Sequence, residues 1–122
     1  MRVKGIVWLG TRTERFDEMR EFFLEITGVA PREEPGLAAF DLASGDRIEV
    51  FDTDVGESHM AAPVVGFLVD DVAAARAELE SRGIEFIGPI GTGAGSAWSH
   101  FRAPDGHVYE LTALPGHPAD AT

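Results

Sequence analysis

Cysteine is absent from this 122-residue sequence. Disulfides, thiolate zinc sites and a cysteine nucleophile are therefore excluded, and a reducing cytoplasm is the expected location. Long apolar runs are missing too. The run behind the basic residues Met1-Arg2-Val3-Lys4 reaches only from Ile6 to Leu9. A signal peptide needs more, and a membrane span needs about 20 such residues. Positive charge is scarce: ten Lys and Arg stand against 21 Asp and Glu, for a net charge of −11. That sign repels nucleic acid and suits either plain solubility or a cationic small ligand. No Gly-x-Ser-x-Gly elbow or zinc-protease motif is present.

What the chain does contain is a repeat. Phe40-Asp41-Leu42-Ala43-Ser44-Gly45-Asp46-Arg47-Ile48-Glu49-Val50-Phe51 matches Phe101-Arg102-Ala103-Pro104-Asp105-Gly106-His107-Val108-Tyr109-Glu110-Leu111-Thr112 at an offset of 61 positions. Each segment reads as a hairpin whose turn glycine supplies a positive φ. Before each hairpin stands a short apolar strand, Ile6–Leu9 in one half and Val64–Val69 in the other. A helix follows each strand. In the first, Phe16, Met19, Phe22, Phe23 and Ile26 form one apolar face, Thr13 or a neighbour caps the start, and Gly28 ends it. In the second, Asp70 or Asp71 caps, Val72, Ala75 and Leu79 face inward, and Gly83 closes. A further strand is expected around Ala30 and again at Ile84–Ile87.

The order strand, helix, strand, hairpin, performed twice, predicts an α+β fold of two tandem βαβββ modules. They would form a curved mixed sheet with a concave pocket and helices on the outer face. Module 1 is expected over about 3–52, a polar linker over 53–63, module 2 over about 64–114 and a frayed tail over 115–122. Alternation along the strands sends Ile48, Val50, Tyr109 and Leu111 toward the helices. Glu49 and Glu110 then line the concave face.

From Val3 to about Leu114 the chain resembles the vicinal oxygen chelate superfamily, the glyoxalase/bleomycin resistance protein/extradiol dioxygenase group. Val69-Asp70-Asp71-Val72 and Pro104-Asp105-Gly106-His107-Val108-Tyr109-Glu110-Leu111 carry the resemblance most specifically. It implies a cavity built from both modules and, often, paired chains; a homodimer is expected. In metal-using members, the first strands give His (sometimes Gln) and the last strands give Glu. Glu49 and Glu110 fall on the last-strand positions. The first-strand positions hold Trp8 and Val64, neither of which binds a metal. Two carboxylates alone poorly suit zinc, iron, nickel or cobalt, though they could hold a weaker, oxygen-loving ion. A divalent metal is thus disfavoured as cofactor.

Each remaining candidate has a plain structural alternative. Glu49 and Glu110 could be solvated strand residues; as an inward pair without a cation, repulsion would raise their apparent pKa and leave one able to serve as acid or base. His100, in Trp98-Ser99-His100-Phe101, is the best general base or recognition group, against a structural strand histidine. Catalysis, if any, would fall to His100 and Glu110. Trp8, Phe51, Trp98 and His100 are the expected pocket residues, while Phe40, Phe67 and Phe101 supply further aromatic surface, several of them core. Trp8 offers a flat ring to a planar or cationic ligand. His59 is expected in the solvated linker, His107 exposed, and His117 in the tail. Gly91-Thr92-Gly93-Ala94-Gly95-Ser96 lacks the ending of a phosphate-binding loop and reads as a mobile loop or flap between strands. Three functions fit: a metal-independent small-molecule binder, a lyase, isomerase or dioxygenase whose metal sits on Glu49 and Glu110, or a metal-free proton-transfer enzyme.

Overall fold

Both halves of the computed structural model, which describes residues 1–60 and 62–121, build the same unit from the same signals. The first half runs β1 Gly5–Arg12, α1 Phe16–Thr27, β2 Arg32–Glu34, β3 Leu37–Asp41 and β4 Arg47–Phe51; the second runs β5 Val64–Leu68, α2 Val72–Ser81, β6 Phe86–Gly93, β7 Ser96–Arg102 and β8 Val108–Ala113. The fold is α+β, two tandem βαβββ modules. By contacts, one compact unit is Trp8–Val64 and the other is Met1–Val7 with Val65–Thr122.

In the Trp8–Val64 unit, β1 lies parallel to β4, and β3 and β2 follow antiparallel. Ala38, Phe40 and Val50 are buried, with Phe16, Met19, Phe23 and Ile48 packed on them. Alternation causes this: the even residues of β3 and β4 face α1, and full burial of Phe40 alone contributes about 2–3 kcal/mol. The helical face is narrower than its spacing predicts, because Phe22 and Ile26 remain 49% and 61% exposed. The start of α1 also differs. Arg15 is its N-cap without a side-chain cap bond, while Thr13 Oγ1 accepts the Arg15 N–H. Gly28 ends the helix at φ +68°, its N–H donating to Leu24 O. The strand expected around Ala30 forms two residues later, at Arg32.

In the other unit β5 lies parallel to β8, with β7 and β6 following antiparallel. Val69, Val72, Ala75 and Leu111 are its buried cluster, joined by Leu79, Phe86, Ile90, Ala97, Phe101 and Ala113. Asp71 caps α2 by accepting the Ala74 N–H at 2.9 Å. Arg76 fixes α2 to the sheet, donating to Gly88 O and Ser99 Oγ with its guanidinium over the Phe86 ring. Phe67, Tyr109 and Phe101 stack along the helix side, so Phe67 and Phe101 are packing residues.

Three expectations need correction. The glycine-rich segment is no free loop: Gly91–Gly93 end β6, Ser96 begins β7, and Ala94 and Gly95 make the turn between them with positive φ. The 3-10 turn Pro118–Ala121 orders the tail expected to fray, and the buried Lys4 ammonium holds it through Asp120 O at 2.7 Å while also contacting Asp70. Those contacts, Asp70 foremost, raise the Lys4 pKa above its ordinary value. His59 lies in the 3-10 turn Ser58–Met60 with its side chain only 11% exposed, 3.7 Å from Glu57, because the linker folds back rather than standing in water.

Candidate functional site

Parallel pairing of first and last strands decides what each glutamate meets. In the Trp8–Val64 unit, Gly10 of β1 stands opposite Glu49 of β4, and Trp8 opposite Arg47. Residues two apart on a strand share a face, so Trp8, Gly10 and Glu49 all point away from α1. The Trp8 ring lies flat over Gly10, where any Cβ would collide with its benzo edge. From there indole Nε1–H donates to Glu49 Oε1 at 2.6 Å, and Trp8 is 8% exposed. Asp41, Arg32 and Arg47 form an ion-pair group on the same face. Arg32 first, then Arg47, holds the Asp41 carboxyl below the usual range, against the effect of burial. Phe51 is less available than a pocket residue should be: Gly56 of the linker packs against its ring, and Arg12 holds that linker through Thr53 O and Val55 O.

The second unit repeats the frame with a different partner. Gly66 of β5 stands opposite Glu110 of β8. Across the β7–β8 pair His100 faces Glu110, with Nε2 at 3.0 Å from Oε1 and each side chain 5% exposed. Trp98 lies on the same face, its indole spread over Gly91 of β6. Trp98 is half-buried. His107 is exposed beside Asp105, and the His117 ring accepts the Ala119 N–H.

This arrangement changes the reading of the two glutamates. Each takes a hydrogen-bond partner within its own unit, Trp8 for Glu49 and His100 for Glu110. Residues 5–111 match the Glyoxalase/Bleomycin resistance protein/Dioxygenase superfamily. The chain belongs to that superfamily. No curated protein matches the sequence. Among solved structures, a Streptomyces coelicolor methylmalonyl-CoA epimerase variant in complex with 2-nitronate-propionyl-CoA is 16% identical, with TM-score 0.69, covering 94% of this chain and 100% of that one. Methylmalonyl-CoA epimerase from Mycobacterium tuberculosis is 20% identical, with TM-score 0.69, over 93% and 90% of the two chains. A protein described as NAD-dependent benzaldehyde dehydrogenase from Legionella pneumophila is 17% identical, with TM-score 0.67, over 88% and 97%. At these identities the likeness concerns the fold alone.

The residues do not fit the superfamily's His-ligated metal. Val64 stands two residues before Gly66, as Trp8 stands two before Gly10, so these are equivalent places in the two modules. Neither side chain has a lone pair to offer. Among the described residues no group of three or more His, Asp or Glu side chains is placed to hold a metal ion. Nor is any helix of the described residues long and apolar enough to cross a membrane.

Two features escaped the sequence. The Trp8–Glu49 bond was readable in principle, since parallel pairing of first and last strands puts those positions side by side. The Asp41 ion-pair group gave no signal, because its members are scattered over three strands.

Proposed function

We propose that the chain binds a small aromatic or amphipathic molecule on the strand face carrying Trp98 and His100, without a metal held by Glu49 and Glu110. One observation carries this reading: both glutamates are engaged by ring nitrogens of their own unit, at 2.6 and 3.0 Å. An ion on Glu49 would have to share the carboxylate with a short bond from a buried indole, which occupies Oε1. Hydrogen bonds to charged groups are worth about 1.5–3 kcal/mol, and two oxygens return little when nitrogen ligands are missing. The alternative, a metal-dependent lyase, isomerase or dioxygenase with Glu49 and Glu110 as ligands, draws on the survival of both carboxylates at equivalent positions.

Tryptophan fluorescence separates the two. Planar aromatic ligands titrated into the protein in excess EDTA are expected to quench emission saturably, with affinity unchanged by the chelator. Trp98→Leu should weaken binding about tenfold, the size of one aromatic contact. Binding that disappears with EDTA and returns with a divalent ion would overturn the proposal.

A second copy of the chain is the proposed protein partner. Phe22 and Ile26, on α1, are 49% and 61% exposed, apolar side chains that a second copy would cover. Sedimentation equilibrium should give twice the chain mass, 26 rather than about 13.1 kDa; a monomer at all concentrations would contradict it.

A further inference from the structure

In the Trp8–Val64 unit, the strand face away from α1 carries an ion-pair group with unspent donors. Arg32 stands on β2, Asp41 on β3 and Arg47 on β4, with Asp41 and Arg47 directly opposite each other. Arg47 Nε donates to Asp41 Oδ1 at 2.8 Å. Arg32 reaches the same carboxylate side-on, Nε to Oδ2 and Nη2 to Oδ1. One carboxylate thus holds two guanidiniums beside each other. Arg32 Nη1 and both Nη groups of Arg47 are left with no partner among the described residues. The side chains of Arg32 and Arg47 are 62% and 33% exposed, so solutes can reach them.

Tying the strands together does not require both cations. Arg32 alone touches both Asp41 oxygens, and adding Arg47 sets two like charges side by side, which an incoming anion relieves. We infer that Arg32 and Arg47 form a recognition site for a singly charged carboxylate, received by the Nη groups that Asp41 leaves free. Paired guanidinium N–H groups match the spacing of two carboxylate oxygens. The surroundings limit the charge of the guest. Asp41 foremost, and then the nearby charges of Glu49 and Glu34, raise the Arg32 pKa above its ordinary value. Those two glutamates, and a chain of net charge −11, repel a multiply charged phosphate more than a carboxylate. The site uses neither Trp98 nor His100 and does not rest on the small-molecule reading above.

The probe is sodium propanoate, with propanamide as the neutral compound of matched shape and inorganic phosphate as the more highly charged anion. Ionic strength is held constant with chloride, and nitrogen–proton correlation spectra follow the arginine Nε–H signals. Propanoate is expected to shift the Arg32 and Arg47 signals saturably. It should bind about tenfold more tightly than propanamide, the size of one charge-assisted hydrogen bond, and more tightly than phosphate. Arg32→Gln and Arg47→Gln should each weaken propanoate about tenfold. Arg15→Gln, which removes an exposed arginine paired with Glu18, should leave the affinity unchanged. The comparison of the three probes on the unsubstituted protein needs no variant to fold. Shifts that do not saturate would show an adventitious ion only and overturn the inference. So would propanoate bound no better than propanamide, or bound equally well by both arginine variants. Phosphate bound more tightly than propanoate overturns it too, by giving the site to another class of anion.

Discussion

Replacing His100 with leucine is expected to lower stability by about 3 kcal/mol, measured by urea unfolding at neutral pH. The cause is the partner left behind. Glu110 is 4% exposed, and removing the ring nitrogen at 3.0 Å leaves a buried carboxylate with one fewer donor. Glu110→Leu should cost a similar amount for the mirror reason. The double replacement should cost clearly less than the sum, since two apolar side chains replace a pair that must be desolvated together. Strict additivity of the two single changes would mean that the contact carries no coupling, and would remove the basis for reading the pair as one unit.

Gly10→Val tests the other glutamate. A Cβ at position 10 falls inside the Trp8 ring, and a valine in the middle of β1 leaves the indole no place over the strand. The ring must swing away, losing both its packing and the 2.6 Å bond to Glu49. Overpacking of this kind costs about 1–3 kcal/mol, and the lost bond adds to it. Adding Trp8→Ala to Gly10→Val should recover part of the loss. A Gly10→Val protein as stable as the parent, with unchanged Trp8 fluorescence, would show that the ring does not lie there.

Much of this architecture could be read from the residues because it rests on short-range rules. The repeat of a turn glycine, φ +92° at Gly45 and +89° at Gly106, sets both hairpins in the same register. His100 and Glu110 stand equally far from Asp105, so their pairing follows from hairpin geometry once the turn is centred there. The face assignment rested on period-two alternation, and Ile48, Val50 and Leu111 do pack on the helix side.

The misreadings share a different origin, since each depended on contacts distant in sequence. Phe22 and Ile26 fit the helical spacing of α1, yet only Phe16, Met19 and Phe23 pack on the strands while those two stay exposed. The tail looked frayed because its prolines and small residues give no periodic signal; a local turn around His117 and a bond from Lys4, more than 110 positions earlier, order it together. Phe51 looked like a pocket residue until the linker folded over it. In the site itself, the loss of the first-strand histidines was plain from residue types. The indole N–H that reaches Glu49, however, required knowing which strands are neighbours.

Metal content tests the central claim most directly. Untagged protein, purified without chelator, would be analysed for bound metal and then titrated with zinc, manganese, nickel and iron. The account predicts no stoichiometric ion in the purified protein and no saturable binding that a Glu49→Gln, Glu110→Gln double variant removes. One equivalent of metal per chain, lost in that variant, would contradict it and make the two glutamates ligands after all.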